Sequence, residues 1–147
     1  MRIKYKIFWF VTALFCAVFF VAVQAFPENS PKLLSVSDSK ELTLAQAAMC
    51  EGIKDFYPHN PGAVFSITIG EVSCFTLFDP VPGKTFIYHN WFHRDNPSTT
   101  KKLSLNPPRW STYSKIQLRE TDKGPWRVEI SDYKGKVLHI LRFSITD

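Results

Sequence analysis

Apolar and polar residues alternate through much of the chain. Phe65, Ile67 and Ile69, then Trp126, Val128 and Ile130, then Leu141, Phe143 and Ile145 stand two apart with polar residues between them. A period of two is what a strand shows when one sheet face is buried and the other is wet. Turn formers interrupt this pattern at short intervals: "HNPG" near 60, "DPVPGK" near 82, "DNPS" near 96, "NPP" near 107, "DKGP" near 123 and "DYKGK" near 134. The pieces between them have strand length. They predict seven or eight strands, at 44–53, 63–69, 71–78, 85–93, 100–105, 112–118, 125–131 and 137–145. "ELTLAQAAMC" has helix-forming composition but is short and ends near Gly52, so it is read as the first strand. The expected fold is all-β: a single antiparallel β-sandwich of immunoglobulin-like type. "DYKGK" should join the last two strands as a hairpin with Gly135 at positive φ, and Asp95 to Ser98 should form a similar turn.

The N-terminus has a different pattern. Arg2, Lys4 and Lys6 precede an unbroken apolar run from Ile7 to Val23, and Val23-Gln24-Ala25 offers small residues for cleavage. Residues 1–25 therefore read as a signal peptide, with an uncleaved N-terminal anchor as the alternative because seventeen apolar residues approach a membrane span. Cys16 lacks the small residues that precede a lipidated cysteine. Residues 26–40, rich in Ser, Pro, Asp and Lys, read as a flexible linker, and 41–147 as one domain with one core. The expected location is periplasmic or secreted, or the inner membrane with the domain outside the cytoplasm.

Composition changes the picture in two ways. The formal net charge of +5 includes the three basic residues of the leader; without them 15 basic residues face 13 acidic ones, and they are scattered. No nucleic-acid partner is expected on that balance. Outside the leader only Cys50 and Cys74 remain, and export predicts a disulfide between them. The chain-entropy model gives such a loop about 3–4 kcal/mol.

Motifs that state a reaction are lacking. The six glycines are isolated, which excludes a phosphate-cradling loop, and there is no G-x-S-x-G or H-E-x-x-H. Glu51, Asp55, Glu71, Asp79, Glu129 and Asp132 show no spacing that marks an acid and base pair. In "YHNWFH", His89 and His93 are four apart, but on a strand that is about 13 Å, too far for one metal ion. No metal or cofactor is implied. On that strand Ile87, His89, Trp91 and His93 share one face, and Phe86, Tyr88, Asn90 and Phe92 the other, which predicts a central strand. Trp91, Trp110 and Trp126 are read first as core residues. The sharper reading makes His89, Trp91, Arg109, Trp110 and Lys115 an aromatic platform with polar handles for an envelope protein or a glycan.

The second half also carries an ordered set: His89 and Trp91, Arg109 and Trp110, Ser114 and Lys115, Gly124, Trp126 and Val128, Asp132 and Gly135, then Phe143. This set resembles the bacterial family called Domain of Unknown Function 2914, over most of 41–147 and most strongly from Tyr88 onward. The resemblance implies an exported or membrane-tethered all-β domain, with no activity, substrate or cofactor attached. The leading expectation is a non-enzymatic module of the cell envelope that binds a protein or glycan through one sheet face. The alternatives are an envelope hydrolase using His89 with a cross-strand carboxylate, and a purely structural or assembly role.

Overall fold

A computed structural model describes residues 41–147; the signal segment, the linker and Cys16 lie outside the described residues. Nine strands form: β1 (Leu44–Lys54), β2 (Tyr57–Pro61), β3 (Val64–Ser66), β4 (Glu71–Phe78), β5 (Thr85–His93), β6 (Asn96–Leu105), β7 (Trp110–Gln117), β8 (Gly124–Asp132) and β9 (Val137–Thr146). They make two sheets, a four-stranded one in the order β2-β1-β4-β7 and a five-stranded one in the order β3-β9-β8-β5-β6. The sandwich expected from the alternation is present, with one strand more than predicted. β5 is central, between β8 and β6.

The core lies between the sheets. Met49, Val72, Cys74 and Phe78 of the four-stranded sheet meet Phe65, Ile87, Trp91, Trp126, Val128, Ile130, Phe143 and Ile145 of the five-stranded one. Burying large side chains of this kind stabilises the fold by about 1.5–3 kcal/mol each relative to exposure. The three tryptophan and phenylalanine rings at one end form a stack of contacts: Trp126 lies parallel to Phe143, and Trp91 meets Phe143 edge-on, both at 6.1 Å.

Four expectations about the strands and turns are corrected. The sandwich is not purely antiparallel, because β3 pairs parallel with β9, Phe65 opposite Ile145. The predicted strand at 63–69 stops at Ser66, whose side chain caps a 3₁₀ turn at Ile67–Ile69 that ends at Gly70 with φ 78°. Ile67 and Ile69 still pack on the core from that turn, which is why they looked like strand residues. "HNPG" is not a turn: His59, Asn60 and Pro61 belong to β2, which pairs with β1 through Gly52 and His59, and Gly62 follows the strand. β2 is an edge strand, where prolines are tolerated. The turn before it is Asp55-Phe56, both at positive φ (51° and 64°). The turn expected at Asp95 to Ser98 is likewise displaced to Arg94-Asp95, with φ of 48° and 66°. β6 begins at Asn96, and its Pro97 is tolerated because β6 also lies at a sheet edge.

The final hairpin forms as predicted. Gly135 has φ 84°, and Asp132 Oδ1 accepts hydrogen bonds from the backbone N–H groups of Lys134 and Lys136. Gly124 has φ 116°, a backbone that requires glycine, and a Cβ there would also stand 3.2 Å from Arg94 Nε and push that side chain aside.

The disulfide does not form: Cys50 and Cys74 are both buried free thiols. In the β1–β4 ladder Met49 pairs with Cys74, and Cys50 pairs with Ser73. Directly paired residues point to the same face and neighbours in sequence to opposite faces. Cys74 therefore enters the core while Cys50 points out of the other side of the sheet. Two thiols on opposite faces of a sheet cannot be bridged without moving the backbone.

Candidate functional site

The five residues singled out in the sequence separate into two environments. His89 and Trp91 project from β5 into the core and are 0% and 1% exposed. There they join side chains of the opposite sheet. Trp91 Nε1–H donates to Ser114 Oγ at 3.1 Å, and Ser114 Oγ lies 2.8 Å from His89 Nδ1. His89 Nε2 lies 3.3 Å from Thr76 Oγ1, which donates to the Thr112 carbonyl at 3.3 Å.

Donor counting fixes the direction of this chain. An indole N–H can only donate, so Ser114 Oγ accepts from Trp91 and keeps both its own proton and a second lone pair for His89 Nδ1. Thr76 spends its proton on Thr112, so it accepts from His89 Nε2–H. The imidazole, kept neutral by burial, therefore carries its proton on Nε2, and Nδ1 accepts from the Ser114 hydroxyl. Burial pushes its pKa down to about 4, and neither partner is a carboxylate that would offset that cost by pairing with the charged ring. Among the described residues no buried side-chain N or O lacks a partner. With Thr76 and Ser114 on its two nitrogens, His89 has no carboxylate partner for proton transfer, and hydrolysis through it finds no geometric support.

His93 leaves the core differently. Its ring stacks on Trp126 at 4.5 Å, and Nε2 meets the Lys123 carbonyl at 3.2 Å. His139 is exposed on β9 and separated from His89 by β8, since both pair with Ile130.

Arg109, Trp110 and Lys115 do not converge. Trp110 pairs with Phe78, a core residue, so it sits on the inner side of β7 at the rim, 39% exposed. Arg109 precedes it and lies on the outer side, 3.7 Å from Asp79. Lys115, also outward, holds Glu71 at 3.0 Å, and hydrogen bonding to that carboxylate raises its pKa. Six residues of strand separate Arg109 from Lys115, about 20 Å.

What the outer side of the four-stranded sheet holds is an aromatic cluster around Arg109. Phe75 and Leu77 of β4, Ser111 of β7, Arg109 and the hairpin residues Asp55, Phe56 and Tyr57 line one shallow cleft of about 360 Å³. Tyr113 is beside it, opposite Phe75 in the ladder. For the tip of the β1–β2 hairpin to stand next to Phe75 and Leu77, the hairpin must curl over this face. That cover accounts for the burial of Cys50, Ser73 and Phe75 on an outward side. The covered Cys50 thiol has its pKa raised by burial. Phe56 itself is 82% exposed and Tyr57 63%, with Tyr113 at 48%. The sequence signal for these residues was hidden, because Pro58, Asn60 and Pro61 made β2 look like a loop.

Residues 84–145 match the family described as Protein of unknown function (DUF2914). The DUF2914 match runs from the start of β5 almost to the end of β9 and leaves β1 to β4 outside it, a shorter reach than the resemblance suggested. No curated protein matches the chain. Within the DUF2914 stretch His89, Trp91, Ser114, Trp126, Val128 and Phe143 are buried, while Gly124 and Gly135 supply positive φ. These residues build the sandwich. Of the ordered set, only Arg109, Trp110 and Lys115 reach solvent with side chains suited to a ligand.

Proposed function

We propose that this domain is a non-enzymatic module of the cell envelope that binds a protein through the outer face of the four-stranded sheet. The observation that carries the reading is Phe56. It fills the second position of the two-residue β1–β2 turn, where the left-handed backbone (φ 64°) favours Gly or Asn, yet it is a large apolar ring left 82% exposed beside the cleft. A phenylalanine where the turn itself asks for a small residue, and where folding leaves most of the ring in water, is placed to meet something else. Around it stand Tyr57, Tyr113 and Arg109, the residue types enriched in interface anchors. The partner that fits has an apolar pocket for Phe56 and a carboxylate for Arg109. The envelope location rests on the basic and apolar pattern of residues 1–25, and the periplasm or the outer side of the inner membrane is where that pattern would deliver the domain.

Phe56 replaced by a photo-crosslinking phenylalanine analogue tests this in the native host. The reading expects a discrete adduct with an envelope protein, lost on Arg109→Glu, and none from the same analogue at exposed Thr121. An absent adduct, or equal adducts from both positions, overturns it. Phe56→Ala should leave stability within about 0.5 kcal/mol of the parent, which separates recognition from folding.

A further inference from the structure

A second cleft, of about 570 Å³, opens at another place in the fold. It lies between the loop into β5 (Pro82, Gly83, Lys84), the start of β5 (Thr85, Phe86) and the β8–β9 turn (Asp132, Tyr133, Lys134), with Glu41, Leu42 and Leu138 completing the wall. Two features distinguish it from the aromatic face around Arg109. Its walls include Phe86 and Tyr133, set at 70° with ring centroids 6.3 Å apart, which makes an aromatic corner. Its lining holds two lysines, Lys84 and Lys134, against two carboxylates, Glu41 and Asp132, and Lys102 beside Phe86 tips the local balance to the positive. Lys102 Nζ rests 3.8 Å from the Phe86 centroid, and Lys134 Nζ 5.4 Å from that of Tyr133.

The carboxylates present are already engaged. Glu41 faces Lys136 at 3.9 Å, and Asp132 is the acceptor for the turn backbone. Among the described residues Lys84, Lys102 and Lys134 have no carboxylate within ion-pair distance. The ammonium groups parked beside the rings are on flexible stems and can swing to an anion while the ring stays as a flat apolar wall.

We propose that this cleft binds carboxylated sugar rings, as in the uronic-acid residues of an acidic glycan. The apolar face of a pyranose fits an aromatic wall, and its carboxylate meets lysine heads at the rim. Inorganic phosphate can meet the same lysine heads but has no apolar ring face to lie against the aromatic wall, so it uses only half of what the cleft offers. The inference is independent of the protein-binding face, which is built from other strands and other residues.

Calorimetric titration of the protein with a glucuronic-acid trisaccharide tests it, beside a neutral glucose trisaccharide and inorganic phosphate. The glucuronate oligomer should bind at least about tenfold more tightly than either, with an affinity that falls as salt rises. Tyr133→Ala and the double variant Lys84→Gln/Lys134→Gln change exposed residues and should keep the parent melting temperature while weakening binding about tenfold. Phe56→Ala should leave glucuronate binding unchanged, so failure of either site is read separately. Absence of binding at about 10 mM, equal binding of the neutral trisaccharide or phosphate, or folded variants that bind as the parent does would each overturn the proposal.

Discussion

His89 Nδ1 lies 2.8 Å from Ser114 Oγ, and this contact ties the middle of the five-stranded sheet to the edge strand of the four-stranded sheet inside the core. The same hydroxyl takes the Trp91 indole N–H. Two residues of the H-x-W stretch thus share one acceptor and donor on the opposite sheet. Such a network specifies how the sheets stack as well as adding stability, because every member has one fitting geometry.

Acid should unfold the domain through His89. Its folded pKa is about 4 against 6.5 for the free group, so the folded state favours the neutral ring. A depressed pKa gives stability that is complete above pH 6.5 and is lost as pH falls toward 4. The shift corresponds to about 3 kcal/mol over that window. Urea melts at a series of pH values from 7 to 4 check this, with His89→Phe as the reference for carboxylate titration. A parent whose stability falls no faster than the variant's would contradict it.

Ser114→Ala removes one hydroxyl and orphans two groups, the Trp91 indole N–H and His89 Nδ1. Each buried orphan costs about 1–3 kcal/mol. Thr76→Val leaves one side-chain group, His89 Nε2–H, without its partner. Chemical denaturation should therefore rank Ser114→Ala as the more destabilising of the two.

Reducing agent should leave the melting temperature unchanged, since both thiols are already free and face opposite sides of β1 and β4. A thiol reagent should titrate Cys50 and Cys74 only after denaturant exposes them, both being buried with raised pKa values. Loss of stability on reduction of the folded protein would point to a bridge and to a different β1–β4 register.

Much of this fold was legible because alternation and turn chemistry are local. "DYKGK" gave its hairpin and Gly135 its positive φ, and the aromatic character of both faces of β5 gave its central position. What was hidden depends on relations between strands. Whether Cys50 and Cys74 share a face is decided by the register of β1 on β4, which counting residues between them does not reveal. The alternation put His89 and Trp91 on one face, but only the opposite sheet, with Thr76 and Ser114, makes that face a core. β2 was concealed by its own prolines, and with it the exposed tip at Phe56. Arg109 and Trp110 are adjacent in sequence, and that adjacency is what sends them to opposite sides of the sheet.

The most direct test of the account is the protonation state of His89 by ¹⁵N-resolved NMR of the imidazole. The predicted result is a neutral ring with its proton on Nε2 and a bare Nδ1, unchanged from about pH 8 down to about pH 5. A ring that titrates near 6.5 in the folded protein would contradict a core role for His89 and return it to the surface chemistry of a site, whereas an Nδ1–H tautomer would reverse the hydrogen bonds assigned to Ser114 and Thr76.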